Sequence, residues 1–229
     1  MPNWCNNNIS ITGPNSVIDK IEKIVKEEEN TDLSSKEKGE TPGLLQFMAP
    51  MPKELEGTTS PSSSADKPQP MIDGFDCWYD WRVENWGTKW EVCEFYGVDR
   101  QYHSENNEGE STITFGFDSA WSPPINAYEQ FLRDNEDCSL KAWYYEGGCD
   151  FMGIWDNGDD QCWAISEIAP KGSTDKFWKT PEGKELDEMY GISDSMAEYE
   201  SQQEEERIGD NRQIIDYSKG EKVNIGEEV

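Results

Sequence analysis

Residues Val83 to Trp90 read VENWGTKW, which places two tryptophans four positions apart around a glycine, with Glu84 and Lys89 beside them. A carboxylate and an ammonium next to aromatic rings are the residue types of a general acid–base pair. That chemistry needs a cleft and shifted pKa values. The plainer reading is a packing device: Trp78, Trp81, Trp86 and Trp90 plug against a sheet, while Asn85 and Thr88 satisfy turn backbone. Gly87 serves either reading, because it reaches positive φ without a Cβ clash. Packing is the preferred reading, with a binding surface or an acid–base pair as the alternatives.

Other clusters carry less chemistry. DNGDD (Asp156 to Asp160) offers carboxylates but lacks a twelve-residue loop closed by a glutamate, so a hairpin turn is expected rather than a calcium site. The six cysteines are Cys5, Cys77, Cys93, Cys138, Cys149 and Cys162, and none forms a CxxC pair. With His103 as the sole histidine, zinc fingers, zinc ribbons and closely spaced iron–sulfur motifs are not expected. Cys5 or Cys149 as a nucleophile would need an imidazole, and His103 sits in the polar stretch RQYHSENN. No catalytic residue, metal or cofactor is expected.

The bulk composition narrows the partners. The chain has 229 residues and a formal net charge of −28, with 20 Lys and Arg against 48 Asp and Glu. Phosphate binding needs cations to displace counterions, so direct nucleic-acid binding is not expected, nor is an anionic membrane surface. The start, MPNWCNNNISITG, lacks a basic region followed by an apolar run, so no secretory leader is expected. No stretch approaches the ~18 apolar residues of a membrane span. A reducing cytoplasm is the expected compartment, and reduced thiols follow from it. Ten Trp, nine Tyr and eight Phe supply large burial per residue.

These residues must be positioned by regular elements, and the periodicities suggest which. NNNISITG alternates: Cys5, Asn7, Ile9 and Ile11 share one face, and Trp4, Asn6, Asn8 and Ser10 the other, as in a strand. Val17, Ile18, Ile21, Ile24 and Val25 form one helical stripe, with Asp19–Lys23 and Glu22–Lys26 as outer pairs. LLQFM (Leu44 to Met48) reads as a short strand ended by Pro50 and Pro52. Residues 56–70 are rich in Ser, Pro and Gly and read as a mobile loop. STITFGF is a second alternating strand. A helix follows with Ile125, Tyr128, Phe131 and Leu132 inward, Ser122 as its N-cap and Pro123 at its first position. SLKAWYYE reads as a strand, and FMGIWDNGDDQCWAIS as a hairpin turning at Asn157-Gly158. Two strand–helix–strand units plus a hairpin make an α+β, ferredoxin-like two-layer sandwich: an antiparallel sheet with two helices on one face. Beyond Pro170 the chain turns acidic, and residues 169–229 read as a partly helical or disordered tail after a domain of residues 1–168.

Four stretches, MPNWCNNN, VENWGTKWE, FDSAWSPP and WYYEGGCDFMGIW, occur in an order that resembles the YubB-type ferredoxin-like family of phage and plasmid proteins. The resemblance covers roughly residues 1 to 165. It implies the sandwich fold and a mobile-element gene acting in a bacterial cytoplasm, and it implies no chemistry. "Ferredoxin-like" describes topology alone.

One sheet face is left open by two helices on the other. Trp4, Asn6 and Asn8 would share that face with Lys141, Trp143 and Tyr145 if Leu140, Ala142 and Tyr144 point at the helices. Aromatics on an open sheet are a means of stacking bases, but such platforms normally sit in positive grooves. Cover by VENWGTKW or by the hairpin is therefore expected, and after that a protein-partner surface. The functional expectation is a non-enzymatic protein-interaction module whose partner is another protein. The alternatives are an acidic nucleic-acid mimic and an enzyme of unknown reaction using Glu84, Lys89 or nearby polar groups. Acidity alone is weak support for a mimic, since solubility explains it too.

Overall fold

Alternation in WCNNNISITGP builds a strand whose residues are buried at every second position. A pleated strand sends successive side chains to opposite faces, and Cys5, Asn7, Ile9 and Ile11 all go to the interior. The structure, a computed structural model, describes residues 3–29, 43–104 and 109–218. In the described residues the strands are β1 (Trp4–Pro14), β2 (Cys93–Tyr102), β3 (Glu110–Ala120), β4 (Ser139–Glu146), β5 (Phe151–Asp156) and β6 (Asp159–Ala164). They form one antiparallel sheet in the order β2-β3-β1-β4-β5-β6. Ile9 pairs with Phe115 on one side and Ala142 on the other, and Ile11 with Ile113 and Leu140, so one apolar face runs across three strands.

Four helices supply the layer that covers this face: α1 (Asn15–Glu29), α2 (Leu44–Met48), α3 (Trp78–Trp86) and α4 (Ile125–Asp134). Ile18, Ile21, Ile24 and Val25 of α1 join Leu44, Leu45 and Met48 of α2, Trp81 and Trp86 of α3, and Ala127, Tyr128 and Phe131 of α4. All belong to one core with the inward residues of the sheet. The protein is thus a mixed α+β structure built on a six-stranded antiparallel sheet. Glu22 pairs with Lys26 at 2.5 Å as the sequence predicts. Asp19 instead pairs with Arg100 of β2 at 2.7 Å, and Lys23 with Glu27 at 3.7 Å. The Arg100 side chain is almost wholly buried and also reaches Glu22 at 2.6 Å, clamping α1 to the sheet edge.

The expected strand at LLQFM is instead the helix α2. Five apolar residues have no distinguishing period, and a remote group decides the outcome. The Glu91 carboxylate accepts the Leu45 N–H at 2.7 Å and the Gln46 N–H at 3.1 Å, capping a helix whose own N-cap is Gly43. A Cβ at Gly43 would meet that carboxylate at 2.4 Å, so a larger residue there would have to displace the capping group. The strand the sequence reading misses is β2. Its alternation is broken by two register irregularities and by positive φ at Glu94 and Gly97, which erases the period-two signal.

Three further expectations change. Ser122 does not cap α4: that helix starts at Ile125, and the Ser122 hydroxyl donates to the Gly87 carbonyl at 2.6 Å. The hairpin β5–β6 turns at Asn157 and Gly158 as the sequence predicts, but it widens the sheet rather than folding over it. Segment 56–70 holds only a short 3-10 turn. It is pinned by Gln69, whose amide donates to the Thr59 and Asp76 carbonyls at 2.9 and 3.0 Å.

The chain divides into two compact units, Met1–Ile165 and Ser166–Val229, with the short α5 (Ile165–Ile168) at the division. In the second unit, α6 (Pro181–Tyr190) begins at a Thr180 cap whose hydroxyl accepts the Gly183 N–H at 3.0 Å. α7 (Ile192–Ser218) follows, and Trp178, Leu186 and Ile192 are buried. No helix among the described residues is long and apolar enough to cross a membrane.

Trp86→Ala is expected to cost about 3–5 kcal/mol, the range for removing a large buried ring. Glu91→Ala is expected to cost about 1–2 kcal/mol, as for a lost helix cap. Urea denaturation should show both as lower midpoints at unchanged slope. A loss below about 1 kcal/mol for Trp86→Ala would remove that ring from the core.

Candidate functional site

The path from Trp86 to Trp90 sends one tryptophan inside and the next one out. Trp86 is 1% exposed, and its indole N–H donates to the Ala49 carbonyl at 2.7 Å. Gly87 then ends α3 in the left-handed region, at φ +83°, with its N–H on the Val83 carbonyl at 3.2 Å. Thr88 is buried and donates its hydroxyl to the Ala120 carbonyl at the end of β3, at 2.7 Å. This tether brings Lys89 and Trp90 back beside the start of β1. The tryptophans of α3 therefore do not cover the open sheet face as expected: Trp81 and Trp86 join the core on the helix side.

Of the ten tryptophans, three are more than a third exposed: Trp4 at 40%, Trp90 at 37% and Trp121 at 45%. These three stand together. The Trp4 and Trp90 rings are 6.2 Å apart at 45°. The Lys89 ammonium lies 4.0 Å from the centre of the Trp90 ring and 5.4 Å from that of Trp121, within cation–π range of both. Trp121 has φ +75°, a conformation that bulky L-residues avoid. Its N–H donates to the Asn3 carbonyl at 3.0 Å, which fixes the ring's base beside β1.

The adjoining sheet face carries the remaining polar and aromatic candidates. Asn6 donates to the Asp118 carboxylate at 2.5 Å, and Asn8 to the Tyr96 hydroxyl at 3.4 Å. Burial pushes Asp118 and Tyr96 upward in pKa, and these two amide bonds partly offset it. The Tyr96 ring lies over Gly116, where a Cβ would meet it at 2.2 Å. Register places Trp143 beside Asn8 and Tyr145 beside Asn6, and the Lys141 ammonium sits 5.1 Å from the Trp143 ring. The structure thus brings Trp4, Asn6, Asn8, Trp143 and Tyr145 onto one face, with Lys89 and Trp90 at its end.

Glu84 and Asn85 go elsewhere. They line a polar groove of about 410 Å³ with Trp81, Asn126, Glu129 and Arg133, between α3 and α4. Asn126 donates to the Glu84 carbonyl at 2.7 Å, and Asn85 to the Trp81 carbonyl at 2.9 Å. Glu84 lines this groove while Lys89 rests on Trp90 and Trp121, so the sequence-adjacent acid and base serve separate surroundings.

The two thiols considered as nucleophiles lie in different surroundings. Cys5 is buried and its pKa is driven far upward by desolvation. Cys149 is exposed and takes the Asn3 amide at 3.1 Å. The neighbouring Glu146 carboxylate raises its pKa. His103 bonds Glu110 at 3.0 Å and Thr112 at 2.9 Å. Thr112 pairs with Thr12, eight residues along β1 from Trp4, or about 26 Å at strand rise. Cys149 and His103 therefore stand near opposite ends of the sheet.

The sequence reading misses Trp121 as a member of the cluster, although the residue lies within the stretch FDSAWSPP. The available signal is the position of a tryptophan directly after a strand and before Ser-Pro-Pro, where no core position exists for it.

No family model matches the chain. Over 83 residues, 36% of this chain, it is 26% identical to the Uncharacterized protein YubB of Escherichia coli (strain K12), and the match spans about half (52%) of that relative's length. A crystal structure of the protein api92 from Yersinia pseudotuberculosis aligns over 70% of this chain and 96% of that one, at 14% identity and a TM-score of 0.36.

Trp121→Asn should change stability by less than about 1 kcal/mol. Asparagine tolerates the left-handed region, and relief of roughly 1–2 kcal/mol of strain offsets the packing that a half-exposed ring provides. A loss above about 3 kcal/mol would make Trp121 a core residue. Acrylamide quenching should resolve an accessible class of tryptophans, removed in a Trp4→Phe, Trp90→Phe, Trp121→Phe triple variant, and a protected class containing Trp86 and Trp155. A single uniform class would contradict the division. Over about a third of its length, then, the chain is similar to the uncharacterised protein YubB.

Proposed function

We propose that this chain is a non-enzymatic protein-interaction module of a phage or other mobile element, built on a ferredoxin-like sandwich and binding its partner through the Trp4–Trp90–Trp121 cluster. One observation carries the reading. Four aromatic stretches far apart in sequence converge there: Asn3 and Trp4 from the first, Lys89 and Trp90 from the second, Trp121 from the third, and Cys149, bonded to Asn3, from the fourth. Exposed tryptophans in a group are what interaction hot spots are made of.

The sandwich is supported by the strand order β2-β3-β1-β4 within the sheet, with α1 and α4 contributing to one core. The non-enzymatic reading is supported by the separation of Glu84 from Lys89 and by the raised pKa values of Cys5 and Cys149. The second reading, an acidic mimic of nucleic acid, draws on the net charge of −28 and on exposed Glu204, Glu205 and Glu206 of α7.

Affinity capture from the natural host distinguishes the two. The interaction reading expects the full-length chain to retain a discrete protein that the Trp4→Ala, Trp121→Ala variant loses, with modest salt dependence. A mimic would hold a DNA-binding protein regardless of those tryptophans. It would release that protein steeply between low and physiological salt, as the screening length falls to about 8 Å. Retention unaffected by the double substitution would end the first reading.

A further inference from the structure

Lys89, like Lys141 and Arg82, lies over indole rings, but the two rings it meets are both exposed. The chain carries 48 carboxylates, yet among the described residues Lys89 forms no ion pair and rests on two exposed indole rings instead. The surrounding rings are not driven together by core packing, since each is more than a third exposed. One of them is held in a backbone conformation that costs energy. Strain that keeps a bulky ring at the surface beside a cation points to a site shaped for a cation.

Resting on the interaction reading above, we propose that the cleft between Trp90 and Trp121 is a cation receptor, occupied by Lys89 in the free protein and filled in the complex by an arginine side chain of a basic polypeptide. Three features support this occupant. The rings already accept a positive group at 4.0 and 5.4 Å, so the geometry suits a cation. A guanidinium is planar and more weakly hydrated than an ammonium, so it stacks better on indole and can displace Lys89. The net charge of −28 draws a basic polypeptide toward the surface and disfavours an anionic one. Lys89 then acts as an internal competitor: it keeps the rings apart and solvated, and it must leave before the partner's cation enters. The exchange lets this surface discriminate, because a neutral side chain of similar size gains too little to displace it.

The test uses the full-length chain and two capped pentapeptides, Gly-Gly-Arg-Gly-Gly and its citrulline counterpart, which keeps the shape and loses the charge. Binding is read from the indole N–H resonances of Trp4, Trp90 and Trp121. The arginine peptide should shift them and the citrulline peptide should do so far less. Lys89→Met should tighten arginine binding about two- to fivefold, the factor expected from removing an exposed cation–π competitor. Lys20→Met removes the same charge from the exposed outer side of α1 and should leave binding unchanged. Trp121→Asn should abolish the shifts without unfolding the chain.

Equal binding of the two peptides, no shift with either, or weaker arginine binding in Lys89→Met would overturn the proposal. So would equal tightening by Lys20→Met, which would reduce the effect to bulk charge. Self-association of Lys89→Met in sedimentation, without a gain for the arginine peptide, would assign the cleft to a second copy of the chain and also overturn it. Loss of host-protein capture on substituting Trp4 and Trp121, together with indifference to arginine, would leave the interaction reading standing and remove only the cation.

Discussion

The register of β1 is the constraint on which the other features depend. It lies between β3 and β4 near the middle of the apolar layer, and both neighbours take their facing from it. A slip of one residue would turn Cys5, Asn7, Ile9 and Ile11 outward and bring Trp4, Asn6 and Asn8 in. Burial of Ile9 and Ile11 between Phe115, Ile113, Ala142 and Leu140 fixes the register. Asn7 reinforces it from within, donating to the Cys5 carbonyl and the Ser119 hydroxyl, each at 2.8 Å. Once β1 is set, Trp4 must emerge at the surface, and Asn3 is in place to receive the N–H of Trp121.

Much of this was legible because one-sided burial leaves a period. β1, β3, β4, the hairpin and the stripes of α1 and α4 all show it. The failures have a common cause, which is that the deciding partner is remote. LLQFM becomes helix because Glu91, 46 residues away from Leu45, caps it. β2 is hidden by register irregularities that show only in its pairing with β3. Ser122 carries the residue type of a cap but gives its hydroxyl to Gly87. In the candidate site, Trp4 and Trp90 could be named from their types. That they meet each other, and that Trp121 joins them, depends on the Gly87 turn and the Thr88 tether, which no local pattern encodes.

The tryptophans also show how one residue type divides its labour. Trp86 and Trp155 are wholly inside, and Trp155 packs against Tyr128 at 5.5 Å. Arg82 lies over Trp86 and Trp78 at 4.6 and 5.2 Å, and desolvation lowers its pKa. Trp4, Trp90 and Trp121 face water. Interior rings add stability through buried area, whereas exposed ones retain unsatisfied area that a second molecule can cover. Only three residues lie between Trp86 and Trp90, so a single substitution in that stretch reports on one role or the other according to its position.

The bond between Glu91 and the first turn of α2 also fastens the two ends of the long excursion that includes residues 56–70. Extra residues added between Pro50 and Trp78 would enlarge a loop already tied at its base. They would add an entropic cost of only about 0.6 kcal/mol for each doubling of its length. A longer excursion there would thus cost little while the Glu91 tie at its base persists.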